Sequence, residues 1–324
     1  MPFHRIDVHH HAIPAVYLDA LSRAGVGDPI PGVDYPTWDV ASDLEFMDRN
    51  AIRTSLLSIT SPGVQFVAGA DAARVARRTN EYFAQLIADH PGRFGAFALV
   101  PLPDVDAALH EVEYAIDELG LDGVGLFTNH GGRYLGDPAF DRLFAALAEH
   151  DVLTFVHPAI PPATDQPQFG LPPSLYEFTF DTTRMVANLL FSGTLERHPG
   201  LRLIVSHAGG TIPYLATRLT YAGTIAANLK TRTPADLLGL LRRLYYDTAM
   251  SANPHTLAAL TSLIPTDHIL FGSDYPFMPE STTVDTIAGI EAAFRADDRL
   301  AVEYANAAVL LPRLAAGFTA APVG

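Results

Sequence analysis

The chain has no cysteine, so disulfides, thiolate metal ligands and a cysteine nucleophile are all excluded. Basic side chains are scarce. There are 21 Lys and Arg against 36 Asp and Glu, a formal net charge of -15 over 324 residues. That balance argues against sequence-independent nucleic-acid binding, because nothing offsets repulsion from the phosphates. A small anionic substrate stays open, since a buried cation and one arginine can dominate locally. No uninterrupted apolar run is long enough to span a bilayer, and the first residues lack a basic-then-apolar signal pattern. A cytoplasmic protein with no membrane partner is expected. No GxGxxG follows the first apolar segment, which removes the main support for a dinucleotide-binding open sheet. Histidine, carboxylate and water chemistry remain.

Hydrophobic residues make up 48% of the chain, enough for a full core. Eight short apolar segments read as buried parallel strands: Phe3 to His9, Thr54 to Ile59, Phe94 to Val100, Gly123 to Phe127, Leu153 to His157, Leu201 to His207, Leu244 to Thr248 and His268 to Asp274. Amphipathic stretches between them, such as Ala70 to His90, Asp104 to Leu119, Asp137 to His150 and Thr182 to His198, supply crossover helices. The alternation predicts α/β architecture, a single (β/α)8 TIM-type barrel domain over residues 1–324. Residues 12–53 form a long insertion after the first strand, expected to stand over the barrel mouth as a lid. Pro158 to Glu177, rich in proline, reads as a second irregular stretch there.

The first predicted strand runs into Asp7-Val8-His9-His10-His11. Alternate side chains of a strand share a face, so His9 and His11 converge while His10 points away. Four predicted strands end in a ligand or proton carrier: His9 and His11 on the first, His157 on the fifth, His207 on the sixth and Asp274 on the eighth. Barrel enzymes place their chemistry at these C-terminal strand ends. A lone histidine is more often a hydrogen-bonded structural residue, and Asp274 alone could cap a helix. The joint pattern points instead to a metal-assisted site. His90, His150, His198, His255 and His268 lack this placement, and His130 in Asn129-His130-Gly131-Gly132 reads as structural.

Ile6 to Pro14, Val156-His157-Pro158, Ser206-His207-Ala208-Gly209-Gly210 and Leu270 to Phe277 resemble the amidohydrolase superfamily, in its aminocarboxymuconate semialdehyde decarboxylase branch. The resemblance extends to Tyr304-Ala305-Asn306-Ala307 and covers nearly the whole chain. Asp7 to Pro14 and Trp38 to Asn50 are similar to 6-methylsalicylate decarboxylases in particular. The resemblance implies one divalent metal ion, zinc first and manganese second, on His9, His11, His157 and Asp274, with His207 beside it. Binuclear relatives use a carboxylated lysine on strand four, whereas the single lysine here, Lys230, follows strand six. The resemblance also implies a homodimer in which Arg218, eleven residues after His207, enters the partner's site. Read without it, Arg218 is a solvated helix arginine. No Arg or Lys lies between Arg23 and Arg49, where the branch's dicarboxylate enzyme keeps an arginine. Asp181-Thr182 stands where relatives carry Glu-Thr.

The expected activity is metal-dependent, nonoxidative decarboxylation of a small ortho-hydroxy aromatic acid, with 6-methylsalicylate to 3-methylphenol plus CO₂ as the leading case. Asp274 and His207 are the candidate proton carriers, and either could deliver the proton. Phe66, Phe169, Phe180 and Phe277 are candidate walls for the ring. A metal-dependent lactone or amide hydrolase is the alternative, since the same metal ligands serve both reactions.

Overall fold

The computed structural model describes residues 4–162, 169–226, 229 and 232–315. Its main sheet has eight parallel strands: β1 (Arg5–His11), β2 (Ile52–Ser58), β3 (Phe94–Leu99), β4 (Gly123–Phe127), β5 (Leu153–His157), β6 (Arg202–Val205), β7 (Tyr245–Asp247) and β8 (Ile269–Leu270). They are hydrogen-bonded in chain order. Bonds from Val8 N to Phe271 O (3.0 Å) and from Asp274 N to His9 O (2.9 Å) bring the two ends together into a barrel. Each predicted strand is present, with boundaries shifted by a few residues. Phe3, Lys230 and residues 163–168 lie outside the described residues. The last strand is shorter than its apolar run, because beyond Leu270 the backbone bonds to β1 at irregular spacing instead of continuing a ladder.

Helices α1 (Ala15–Arg23) and α2 (Val40–Arg49) lie in the insertion, and α3 (Gly69–Asp89), α4 (Val105–Glu113), α5 (Asp141–Glu149), α6 (Pro173–Phe191), α7 (Thr194–Arg197) and α8 (Ile212–Leu219) follow. One predicted boundary is corrected. The helix expected from Thr182 begins nine residues earlier at Pro173, inside the stretch read as irregular. Proline at the first turn of a helix loses no hydrogen bond and pre-sets φ, so Pro172-Pro173 starts this helix rather than breaking it. The insertion buries Tyr17, Leu21, Phe46 and Met47 against the barrel.

Ile6, Val8, Leu56, Phe97, Leu153, Phe155, Ile204 and Leu270 make an inner cluster, joined by Leu310, Leu311 and Leu314. A larger cluster fills the space between strands and helices. β1 carries a register shift between Asp7 and His10. One extra residue in a strand re-aims the side chains beyond it. Ile6 and Val8 therefore share the inner cluster while His9 and His11, of opposite parity, also face the barrel interior, above them.

Candidate metal centre

His9, His11, His157 and Asp274 are buried, and one donor atom of each lies within 4.8 Å of all the others. His9 Nε2 and His11 Nε2 are 3.2 Å apart. Asp274 Oδ1 stands 3.2 Å from the first and 3.1 Å from the second. The remaining ring nitrogens are all engaged. His9 Nδ1 donates to Asp247 Oδ2 at 2.8 Å, His157 Nδ1 donates to the Pro158 carbonyl at 2.8 Å, and His11 Nδ1 meets Ser58 Oγ at 3.0 Å. Each Nδ1 contact orients a ring and leaves its Nε2 for the common point, as a metal site requires. Three imidazole nitrogens and one carboxylate oxygen fit a single divalent cation.

The electrostatics agree with that fit. Burial opposes charge on His9, but Asp247 and Asp274 outweigh it and raise its pKa to about 10. Burial lowers His11, and it holds His157 well below the usual histidine range. Burial disfavours the Asp274 carboxylate too, yet His9 and hydrogen bonds from His11 and His207 hold its pKa well below the ordinary value. Positive charge is thus favoured beside Asp274, at the spot a cation would occupy.

His207 and Asp274 complete the floor. His207 Nε2 faces Asp274 Oδ2 at 3.4 Å. His207 Nδ1 is buried with no hydrogen-bond partner among the described residues. His207, Ala208 and Asp274 have φ of 53°, 55° and 61°. Left-handed backbone is strained for non-glycine residues and concentrates where side chains are aimed at a site. Gly272 permits the close approach behind it, since a Cβ there would lie 2.8 Å from His9 Cβ.

Residues 6–313 match the amidohydrolase family. The chain belongs to the amidohydrolase family. A 6-methylsalicylic acid decarboxylase of Aspergillus aculeatus, acuB, is 39% identical over 96% of each chain. A 6-methylsalicylic acid decarboxylase of Penicillium expansum is 37% identical over 96% of this chain and 97% of its own. A solved 2,6-dihydroxybenzoate decarboxylase, complexed with 2,6-dihydroxybenzoate, superposes with a TM-score of 0.77 at 26% identity, covering 96% of this chain and 100% of that one.

In this amidohydrolase the aromatic candidates separate. Phe277 lies edge-on to His11, with ring centroids 5.5 Å apart. Phe66 packs on Tyr17 at 5.9 Å. Phe169 and Phe180 are 79% and 43% exposed, and Phe180 pairs with Tyr176 instead of the histidines. Phe178, two residues from Phe180, is buried and stands 6.0 Å from the His157 ring. Residues two apart on a helix point about 200° apart, so only one of this pair can face the centre. Tyr35, from the insertion, backs Phe277 at 5.3 Å.

Arg218 is exposed on α8 and makes no ion pair among the described residues. Tyr214, Tyr221 and Ile225 are exposed beside it at helical spacing. Asp181 is buried and accepts from Thr128, Asn129 and Tyr134, while Thr128 Oγ1 accepts from Ala159 N at 2.9 Å. It braces the turn that follows His157. His130 Nε2 accepts from Phe127 N at 3.0 Å, a structural role within the hairpin Asn129–His130 and Arg133–Tyr134. Sequence reasoning missed Asp247, although it too ends a barrel strand at the catalytic face.

Proposed function

We propose that this chain is a metal-dependent decarboxylase of a small aromatic acid bearing an ortho hydroxyl, with 6-methylsalicylate as the leading substrate and 3-methylphenol plus CO₂ as products. The observation that carries this reading is the intact three-histidine, one-aspartate donor set in a chain 39% identical, nearly end to end, to a 6-methylsalicylic acid decarboxylase. Zinc suits three imidazoles and a carboxylate, and manganese is the second choice. Held by these four residues, a divalent cation would supply Lewis acidity and help orient the substrate.

The protein's own residues do the rest. Phe178 and Phe277, beside His157 and His11, offer apolar walls that orient the ring and exclude water. Loss of CO₂ from an aromatic carbon leaves an electron pair with no low-energy place to go. Protonation of that carbon first makes a dearomatised ketone that accepts the pair when the C–C bond breaks. The proton comes from the pair formed by Asp274 Oδ2 and His207 Nε2. Asp274 is ionised at rest. The proton it delivers must therefore come from the substrate hydroxyl or from His207, and solvent restores it afterwards.

The exposed Tyr214, Arg218, Tyr221 and Ile225 support a homodimer through this face, in which Arg218 would pair with a substrate carboxylate in the partner's site. Among the described residues no helix is long and apolar enough to cross a membrane. A cytoplasmic location is our proposal for the compartment.

Turnover of a hydroxybenzoate panel in deuterated water tests the reaction. One CO₂ per turnover is expected, with one deuterium on the carbon that carried the carboxylate. Uptake of labelled water oxygen into an acid product without CO₂ would instead mark a lactone or amide hydrolase.

A further inference from the structure

Three of the four metal donors sit on one seam of the barrel. β1 and β8 are the two ends of the sheet order, and no regular ladder joins them. Val8 N to Phe271 O, Asp274 N to His9 O and His11 N to Tyr275 O, at 3.0, 2.9 and 2.8 Å, make the closure. His9 and His11 lie on one side of that seam and Asp274 on the other. Any slackening there separates the donors.

A buried polar chain runs along the outside of the seam, and none of its members faces the metal. Asp7 accepts from Ser273 Oγ at 2.6 Å, from Ser273 N at 3.1 Å and from His9 N at 3.1 Å, so one carboxylate grips both sides. His10 Nδ1 lies 3.1 Å from Asp7 Oδ2, and His10 Nε2 lies 2.8 Å from Asp43 Oδ1. The ring thus bridges the two carboxylates. Asp43, on α2, also accepts from Trp38 Nε1 at 2.9 Å. Asp7, His10 and Asp43 are fully buried.

The same helix grips the far side of the seam through apolar and surface contacts. Phe46 stacks on Tyr275, the residue after Asp274, with centroids 3.7 Å apart and planes 10° apart. Arg49 and Asn50 bind Glu280, at the start of the helix that follows the Asp274 loop. α2 therefore spans the junction as a clamp. Its buried contact with the polar chain of the seam is Asp43.

We propose that Asp43 is a positioning residue, which through His10 and Asp7 keeps the β1–β8 seam closed and so sets how long the metal is retained. The insertion would then govern the centre from behind, in addition to any part it plays over the mouth. This inference rests on the metal centre proposed above and not on the reaction carried out there. Partners behind metal ligands are worth about 10- to 100-fold in affinity when lost. Asp43 acts at one further remove, so about 10-fold is expected.

The test is release of zinc from the loaded, full-length protein to excess chelator at fixed neutral pH, for wild type, Asp43→Asn and Leu147→Ala. Leu147 is buried in α5, the helix between β4 and β5 in the middle of the strand order, and its substitution lowers stability without touching the clamp. Asp43→Asn should release zinc about 10-fold faster than wild type, while Leu147→Ala keeps the wild-type rate. Equal release from Asp43→Asn and wild type overturns the proposal, as does an equal acceleration in Leu147→Ala, which would make retention a reflection of global stability. Should Asp43→Asn not fold, Trp38→Phe removes only the outer hydrogen bond. It must then accelerate release in the same direction, and an unchanged rate overturns the proposal equally. Wild type that takes up no metal would sink the metal centre itself, a separate outcome.

Discussion

His9 Nδ1 donates to Asp247 Oδ2 across 2.8 Å, and the other oxygen of that carboxylate accepts from His207 N at 2.9 Å and from Ala249 N at 3.0 Å. One buried side chain thus orients a candidate metal ligand and the proposed proton carrier together. An asparagine has a single acceptor oxygen and cannot serve all three donors. Asp247→Asn should weaken metal affinity by roughly 10- to 100-fold, measured by competition with a chelator of known affinity. Unchanged affinity in a folded variant would remove Asp247 from the centre.

The two phenylalanines of α6 make a sharp contrast. Phe178→Ala should raise KM about 10-fold, since burial of an aromatic wall is worth roughly 1.5 kcal/mol or more. Phe180→Ala, on the exposed side, should change KM less than about 3-fold. Steady-state kinetics on both variants decide it, and the reverse order would reassign the wall.

Arg218 is the test of a shared site. Arg218→Ala and Asp274→Asn should each be nearly inactive alone. In a mixed dimer with a trans-acting arginine, one site inherits both defects and the other neither. Random exchange at equal concentrations should recover roughly a quarter of wild-type activity, because about half the dimers are mixed and each has one sound site. Confirmed exchange with no recovery would reject the shared site and leave the metal ligands untouched.

Stability in acid should depend on Glu303. Its side chain is buried and takes two hydrogen bonds from Arg5, at 3.1 and 2.8 Å, and one contact from His4 at 3.0 Å. Burial raises its pKa, but His4 and Arg5 outweigh burial and bring it below the ordinary glutamate value. A lowered folded pKa contributes stability that is complete above the unfolded value and is lost as the pH falls through the folded one. Glu303→Gln should cost about 3–5 kcal/mol near neutrality. The gap from wild type, followed by chemical denaturation against pH, should narrow as the pH falls below the ordinary glutamate value and close once it passes the lowered folded one. A gap that persists in acid would show that shape, not charge, holds this contact.

Much of this protein is legible along the chain. Apolar runs of strand length define the eight strands, and a ligand at the C-terminal end of a strand points into a barrel mouth wherever that strand lies in the sheet. His9, His11, His157, His207 and Asp274 are therefore legible as a joint pattern, although no one of them alone separates a ligand from a structural residue. The start of α6 was misread because Pro172-Pro173 signals a helix beginning as readily as a break, and only the packing of Phe178, Met185 and Leu189 decides between them. Tertiary structure alone paired Asp247 with His9, 238 positions away, and Asp43 with His10, 33 positions away. It also turned Phe178 inward and Phe180 outward. Local pattern carries the period of an element and which end of it bears a reactive group. Which carboxylate braces which imidazole depends on closure of the barrel, because that step brings distant strand ends within hydrogen-bond reach.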